Sequence, residues 1–104
     1  MFIDTHLHLV ARKRISYPWL KDFPALNRDW SFEDYEVSAR RIGITGVLHM
    51  EVDCAPEYIA TENTWVSELM SRPDSLMRGA ISSARPEDEN FDAFLDTLDL
   101  SIVK

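Results

Sequence analysis

Near the start of the chain, His6-Leu7-His8 sets two imidazoles two residues apart inside Phe2–Leu9, an apolar run that predicts a strand. Successive strand side chains alternate faces, so His6 and His8 share one face with Asp4, while Ile3, Leu7 and Leu9 take the other. Two imidazoles so placed can reach a common metal ion at about 2.0–2.1 Å, although two ligands do not complete a coordination shell. By spacing alone the pair reads equally as metal ligands, catalytic groups or a chance His-X-His. A second run, Ile44–Cys54, repeats the logic, with Val47, His49, Glu51 and Asp53 on one face and Leu48, Met50 and Val52 on the other. His49 also reads as a hydrogen-bonded core histidine, and Asp53 as a carboxylate answering a helix dipole. Buried carboxylates need a partner, a proton or a metal, which makes Glu51 and Asp53 candidates to line a site. Arg85, after a third run, could grip a substrate carboxylate in bidentate fashion or pair at the surface with Glu87 or Asp88. Cys54 reads as a small buried residue, and the chain has no Gly-rich phosphate loop, nucleophile elbow or CxxC pair.

Positioning such groups takes a scaffold, and the hydrophobic pattern supplies one. The strand-like runs Phe2–Leu9, Ile44–Cys54 and Met77–Ala84 are each followed by a segment of period 3.6. Ser31 is a good N-cap before the acidic turn Glu33-Asp34, and Gly43 ends that helix. Pro56 suits a first helical position, Ile59, Glu62, Val66 and Leu69 form one stripe, and Pro73 stops the helix. A third helix is expected over 87–98, burying Phe91, Phe94, Leu95 and Leu98. Strand and helix alternate as in a parallel α/β sheet, whose sites lie at the strand C-termini. On that plan His6, His8, His49 and Glu51 should line the concave face, with Leu7, Leu48 and Met50 against the helices. Ile102-Val103-Lys104 reads as a fourth strand barely begun, so the chain reads as truncated. Residues 10–30 form a loop of unusual length, with Trp19, Phe23 and Trp30 expected to pack over something.

Composition narrows the function classes. At 104 residues there is room for one domain and one core. Eleven basic against eighteen acidic residues give a net charge of -7, which counts against non-specific nucleic-acid binding. The short cluster Arg12-Lys13-Arg14 reads as a solvated loop. No apolar run approaches the ~20 residues of a membrane span. One cysteine rules out an internal disulfide framework or a zinc ribbon and fits a cytoplasmic protein.

Several stretches together resemble one family. Phe2-Ile3-Asp4-Thr5-His6-Leu7-His8-Leu9 resembles the opening strand of the amidohydrolase superfamily, with its Asp-X-His-X-His signature. Tyr17-Pro18-Trp19-Leu20, the strand Gly46–Asp53 and Ala84-Arg85-Pro86-Glu87-Asp88 are similar to the amidohydrolase-2 group, nearest its sugar-lactone and pyrone-dicarboxylate lactonase branch. The resemblance implies a (β/α)8 TIM barrel, of which residues 1–104 would be the N-terminal portion, about three β/α units, since a full barrel needs ~250 residues. It implies that His6 and His8 match metal ligands, that the full-length family uses a divalent ion such as zinc or manganese, and that some lactonase members need none. Glu51, Asp53 and Arg85 would bind substrate, a small lactone or amide-like molecule, and decarboxylation occurs among relatives. The expected function is thus an N-terminal fragment of such a hydrolase, inactive and zinc-poor in isolation and self-associating through its open edges. The alternative from another class is a stand-alone, non-catalytic α/β binding or assembly module.

Overall fold

A computed structural model describes residues 1–104. Three parallel strands, β1 (Phe2–Leu7), β2 (Ile44–Met50) and β3 (Met77–Ile81), lie in the order β1-β2-β3. Helices α1 (Phe32–Arg41) and α2 (Ile59–Met70) provide the crossovers, and a short α3 (Phe91–Asp96) follows β3. The alternating α/β grammar is therefore the observed one, in a sheet not closed into a barrel. Val103 bridges Ala80 in the parallel sense, with Ala80 N–H donating to Ile102 O and Lys104 N–H to Ala80 O, each at 2.9 Å. The residues read as the opening of a fourth strand thus make a single parallel bridge to β3.

Local chemistry explains the element ends. Ser31 Oγ accepts the Asp34 N–H at 3.2 Å, and Glu33 and Asp34 meet the positive end of the α1 dipole. Gly43, at φ 85°, takes the left-handed turn that releases the chain into β2. Pro56 opens a 3-10 turn, Pro56–Tyr58, that runs straight into α2. The third helix is shorter than expected and has no buried residue, and Leu95 is exposed. Asp88 Oδ1 accepts the Asn90 N–H at 2.9 Å and Asp99 Oδ1 the Ser101 N–H at 2.8 Å, so both flanks are folded as side-chain-closed turns instead of helix.

The core forms on one side of the sheet only. Phe32 and Ala39 from α1, Val66 and Leu69 from α2, and Leu9, Val47, Leu76, Met77 and Ala80 from the strands and their flanks make one buried cluster. The molecule measures 44 × 34 × 19 Å, a slab two layers thick. A second cluster, built from Val10, Ile15, Tyr17, Leu20, Val52, Cys54 and Ile59, fastens the long loop across the C-terminal end of β2. That loop is closed at its base by an antiparallel bridge, Val10 N–H to Trp30 O at 3.2 Å and Trp30 N–H to Val10 O at 3.0 Å. Arg12 pairs with Asp29 inside it and Arg14 with Glu68 of α2, so two of the three basic side chains of this solvated loop are paired.

Two substitutions probe this packing. Phe32→Ala removes a 1% exposed ring from the centre of the main cluster and should cost about 3–5 kcal/mol in urea unfolding. A Cβ at Gly79 would stand 2.7 Å from Ile102 O and 2.8 Å from Lys104 Cγ. Gly79→Val should therefore cost about 1–3 kcal/mol and raise hydrogen exchange at the Ala80 and Lys104 amides.

Candidate functional site

The site is assembled at the C-terminal ends of β1 and β2 beneath the long loop. A bulge in β1 decides which side chains reach it. Asp4 is level with Val47, but Leu7 is level with His49, so three residues of β1 span two of β2 and the alternation is reset. Asp4 consequently does not share a face with the histidines. Its carboxylate accepts the Tyr35 hydroxyl of α1 at 2.7 Å and the His6 N–H at 3.0 Å, which ties the bulge to the helix layer. Past the bulge Leu7 and Leu9 pack with the helices, while His6 and His8 stand exposed on the opposite face.

The two imidazoles meet edge to face, with Nε2 to Nε2 at 3.1 Å. His8 Nδ1 lies 3.1 Å from the Met50 carbonyl. A carbonyl can only accept, so Nδ1 carries the hydrogen and Nε2 presents its lone pair toward His6. Two nitrogens bound to one ion at ~2.0–2.1 Å with an angle of ~90–110° would be about 2.9–3.4 Å apart, so the pair fits two positions of a metal shell. The backbone carbonyl supplies the outer-shell contact that metal-binding histidines ordinarily have. No third His, Cys, Asp or Glu is grouped with them.

In β2 the expected face assignment is reversed. Val47 is fully buried in the core, and His49, 1% exposed, stands edge-on to Trp65 of α2 with ring centroids 6.0 Å apart. His49 therefore belongs to the helix layer and not to the concave face, while Leu48 and Met50, outside both apolar clusters, turn the other way. Neither His49 ring nitrogen completes a hydrogen bond. Burial pushes its pKa down to about 4, keeping the ring neutral.

After Met50 the chain leaves the strand geometry, and strand parity no longer governs Glu51 and Asp53. Glu51 Oε2 accepts the Asp53 N–H at 2.6 Å, closing a turn in which Asp53 adopts φ 45°. Asp53 Oδ1 in turn accepts Arg85 Nη2–H at 2.9 Å, and Arg85 Nη1–H donates to Ser83 Oγ at 2.7 Å. Arg85 thus pairs with neither Glu87 nor Asp88; the approach of the β3 end to the β2 end supplies a partner 32 residues away. With Asp53 72% exposed, that ion pair is worth at most ~1 kcal/mol and serves chiefly to orient both groups.

A cavity of about 490 Å³ brings His8, Glu51 and Asp53 together with Val10, Trp19, Leu20, Leu26, Trp30 and Val52. Both indole N–H groups are already bonded, Trp19 to Val52 O at 2.9 Å and Trp30 to Leu26 O at 3.1 Å. What the indoles have left for a ligand is their ring surface. Arg28 sits 3.5 Å over the Trp30 ring without lining the cavity. Arg85 lies outside it, on a smaller cleft of about 190 Å³ with Phe91 and Phe94. The long loop was expected to pack over something; its two tryptophans prove to be the cavity walls. Glu62, a carboxylate inside the apolar stripe Ile59-Glu62-Val66-Leu69, is buried as that stripe implies, with no site role assigned to it by the sequence. It is 1% exposed with Oε2 unpartnered. Cys54, 1% exposed, has its thiol pushed by burial to about 12 and is inert, as its small-buried-residue reading implies.

No family model matches the chain. It is 29% identical over 79 residues to the uncharacterized protein y4mH of Sinorhizobium fredii (strain NBRC 101917 / NGR234), a match covering 67% of this chain and 27% of that protein. Among solved structures it is similar to amidohydrolase 2 from Bifidobacterium longum subsp. infantis, with a TM-score of 0.64 and 25% identity over 80% of this chain and 32% of that one. The chain spans about a third or less of the length of each protein it matches. No helix is long and apolar enough to cross a membrane. The likeness supports an amidohydrolase-superfamily fold, in the form of its strand–helix units and no finer assignment.

Proposed function

We propose that this chain is a small-molecule-binding α/β unit of amidohydrolase type that does not complete a catalytic centre from its own residues. The observation that carries this reading is the composition of the cavity: aromatic and aliphatic walls, with His8, Glu51 and Asp53 among them. A ring lies against the indoles of Trp19 and Trp30, and its polar substituent meets the carboxylates and the His8 edge. The carboxylates are acceptors only, so a substituent with N–H donors, as on an amide, suits them better than a lactone oxygen. His6 and His8 would hold two positions on a divalent ion such as zinc or manganese, which when bound supplies Lewis acidity; the remaining ligands have to come from outside these residues. β1 has a free outer edge, and pairing there with a second copy is the assembly this unit invites.

A second reading has its own support. The His6–His8 pair and the likeness to an amidohydrolase 2 fit a portion of a lactone- or amide-hydrolysing enzyme whose other strands complete the shell. Arg85 would then meet substrate only after leaving Asp53.

Titration with benzamide and with phthalide, followed by tryptophan fluorescence, separates these possibilities. Benzamide should quench saturably and phthalide more weakly, with Glu51→Gln weakening benzamide about 3–10-fold, the loss of one charge-assisted hydrogen bond of ~1 kcal/mol. Zinc should bind weakly and be lost in His6→Ala/His8→Ala, and neither compound should be hydrolysed. Saturable binding absent for both would overturn the binding reading. Hydrolysis by the chain alone would show that it completes a catalytic centre after all.

A further inference from the structure

Leu20 lines two cavities that share no other residue. One is the cavity of His8, Glu51 and Asp53. The other, of about 270 Å³, is lined by residues 12–17 together with Leu20, Asn27 and Tyr58. No carboxylate lines it, in a chain whose eighteen acidic residues outnumber eleven basic ones. Its lining begins instead with three consecutive cations, Arg12, Lys13 and Arg14. A concave surface with one sign of charge concentrates ions of the other sign.

The basic run is held in shape from within. Arg14 N–H and Ile15 N–H both donate to Ala11 O, at 3.0 and 2.9 Å, so residues 11–15 make one closed turn. Ile15 is 1% exposed, and Ser16 O accepts the Ala55 N–H at 2.9 Å, which ties the turn to the chain beyond β2. Some of its donors are already committed. Arg14 gives both terminal nitrogens to Glu68, and Arg12 meets Asp29 and both carbonyl groups of Asn27. With Asn27 Oδ1 turned to Arg12, the Asn27 side chain has its N–H groups left to offer. Lys13 joins none of the ion pairs. Tyr17 is 6% exposed, and its hydroxyl accepts the Ala11 N–H at 3.3 Å while its own hydrogen finds no acceptor in the chain. Burial pushes the Tyr17 pKa up, so the hydroxyl keeps that hydrogen. A buried donor left without an acceptor is costly, and an anion in the cavity that Tyr17 lines provides one.

We infer that this second cavity binds the phosphate group of a small phosphomonoester. Lys13 supplies the uncompensated charge, and the Tyr17 hydroxyl and the Asn27 amide supply neutral donors. Arg12 and Arg14 frame the site while their own charges are answered by acids outside it. A phosphate carries close to two charges and three acceptor oxygens, which suits donors that come from separate parts of the loop; a planar carboxylate carries one charge and reaches fewer of them. Ile15, Leu20 and Tyr58 give the body of the ester an apolar wall.

Amide NMR of the 15N-labelled chain, titrated at constant ionic strength with phenyl phosphate, benzoate or potassium chloride, tests the assignment. Phenyl phosphate should shift the amides of residues 12–17 and Asn27 saturably, with a dissociation constant on the order of 1 mM. Benzoate should bind there at least about fivefold more weakly, and chloride should leave those amides in place. Lys13→Gln, at an exposed position, should weaken phenyl phosphate about fivefold or more, and Lys13→Arg should restore most of it. Tyr17→Phe keeps the ring and removes the hydroxyl, and should weaken binding about 3–10-fold. Shifts that do not saturate, benzoate that binds as well as phenyl phosphate, or unchanged affinity in Lys13→Gln would each overturn the proposal. Displacement of phenyl phosphate by benzamide would put it in the other cavity and overturn the proposal as well. Should Tyr17→Phe fail to fold, the Lys13 pair of variants decides. Apart from Leu20 the two cavities have separate linings, so failed benzamide binding leaves this result separately readable.

Discussion

The face that β2 turns toward the helices governs the rest of the molecule. β2 is the central strand, paired on both sides, and its Val47 and His49 are packed beneath α1 and α2 with essentially no exposure. A strand side chain has only two directions, so this burial sends Leu48 and Met50 the other way. It also fixes the level at which β1 and β3 can pair. His49 is carried into the core by that choice. Its ring stays neutral, and the edge-on Trp65 ring makes an apolar home for it in place of hydrogen bonds.

β1 must satisfy the same helix layer with a different distribution of side chains. Leu9 belongs in the core, Leu7 packs against it, and the part-buried Asp4–Tyr35 hydrogen bond lies on the same helix side. Strict alternation cannot put residues 4, 7 and 9 on one side. The bulge resolves the conflict by spending one extra residue, and its product is a histidine pair aimed at the open face. The His8 tautomer then follows from Met50 O on the neighbouring strand. Site geometry here is a by-product of core packing one strand away.

The end of β2 shows a second way of positioning polar groups. Once the ladder stops, Val52 is held by the Trp19 indole, and Asp53 is held by Glu51 and Arg85. Contacts of this kind tie the long loop and the β3 end to one turn. They are individually modest, and together they shape a cavity whose mostly apolar lining includes His8, Glu51 and Asp53.

The order of elements was legible in the residues. Ser31 with Glu33 and Asp34, Gly43, and Pro56 before the stripe Ile59-Val66-Leu69 each act locally, and the helices and turns appear where those rules put them. The His6–His8 pair was legible too, since the two imidazoles meet as their two-residue spacing leads one to expect. Three things were not. Asp4 was assigned to the histidine face because a bulge is set by pairing with β2, which no local pattern reports. His49 was assigned to the concave face because the parity of a strand says which residues go together, and only packing says which set is covered. Arg85 offers either a grip on a substrate carboxylate or a pair with its sequence neighbours Glu87 and Asp88, and the approach of two strand ends gives it Asp53 instead. Local propensity and period settle what a segment becomes; long-range burial and pairing settle which way its side chains face.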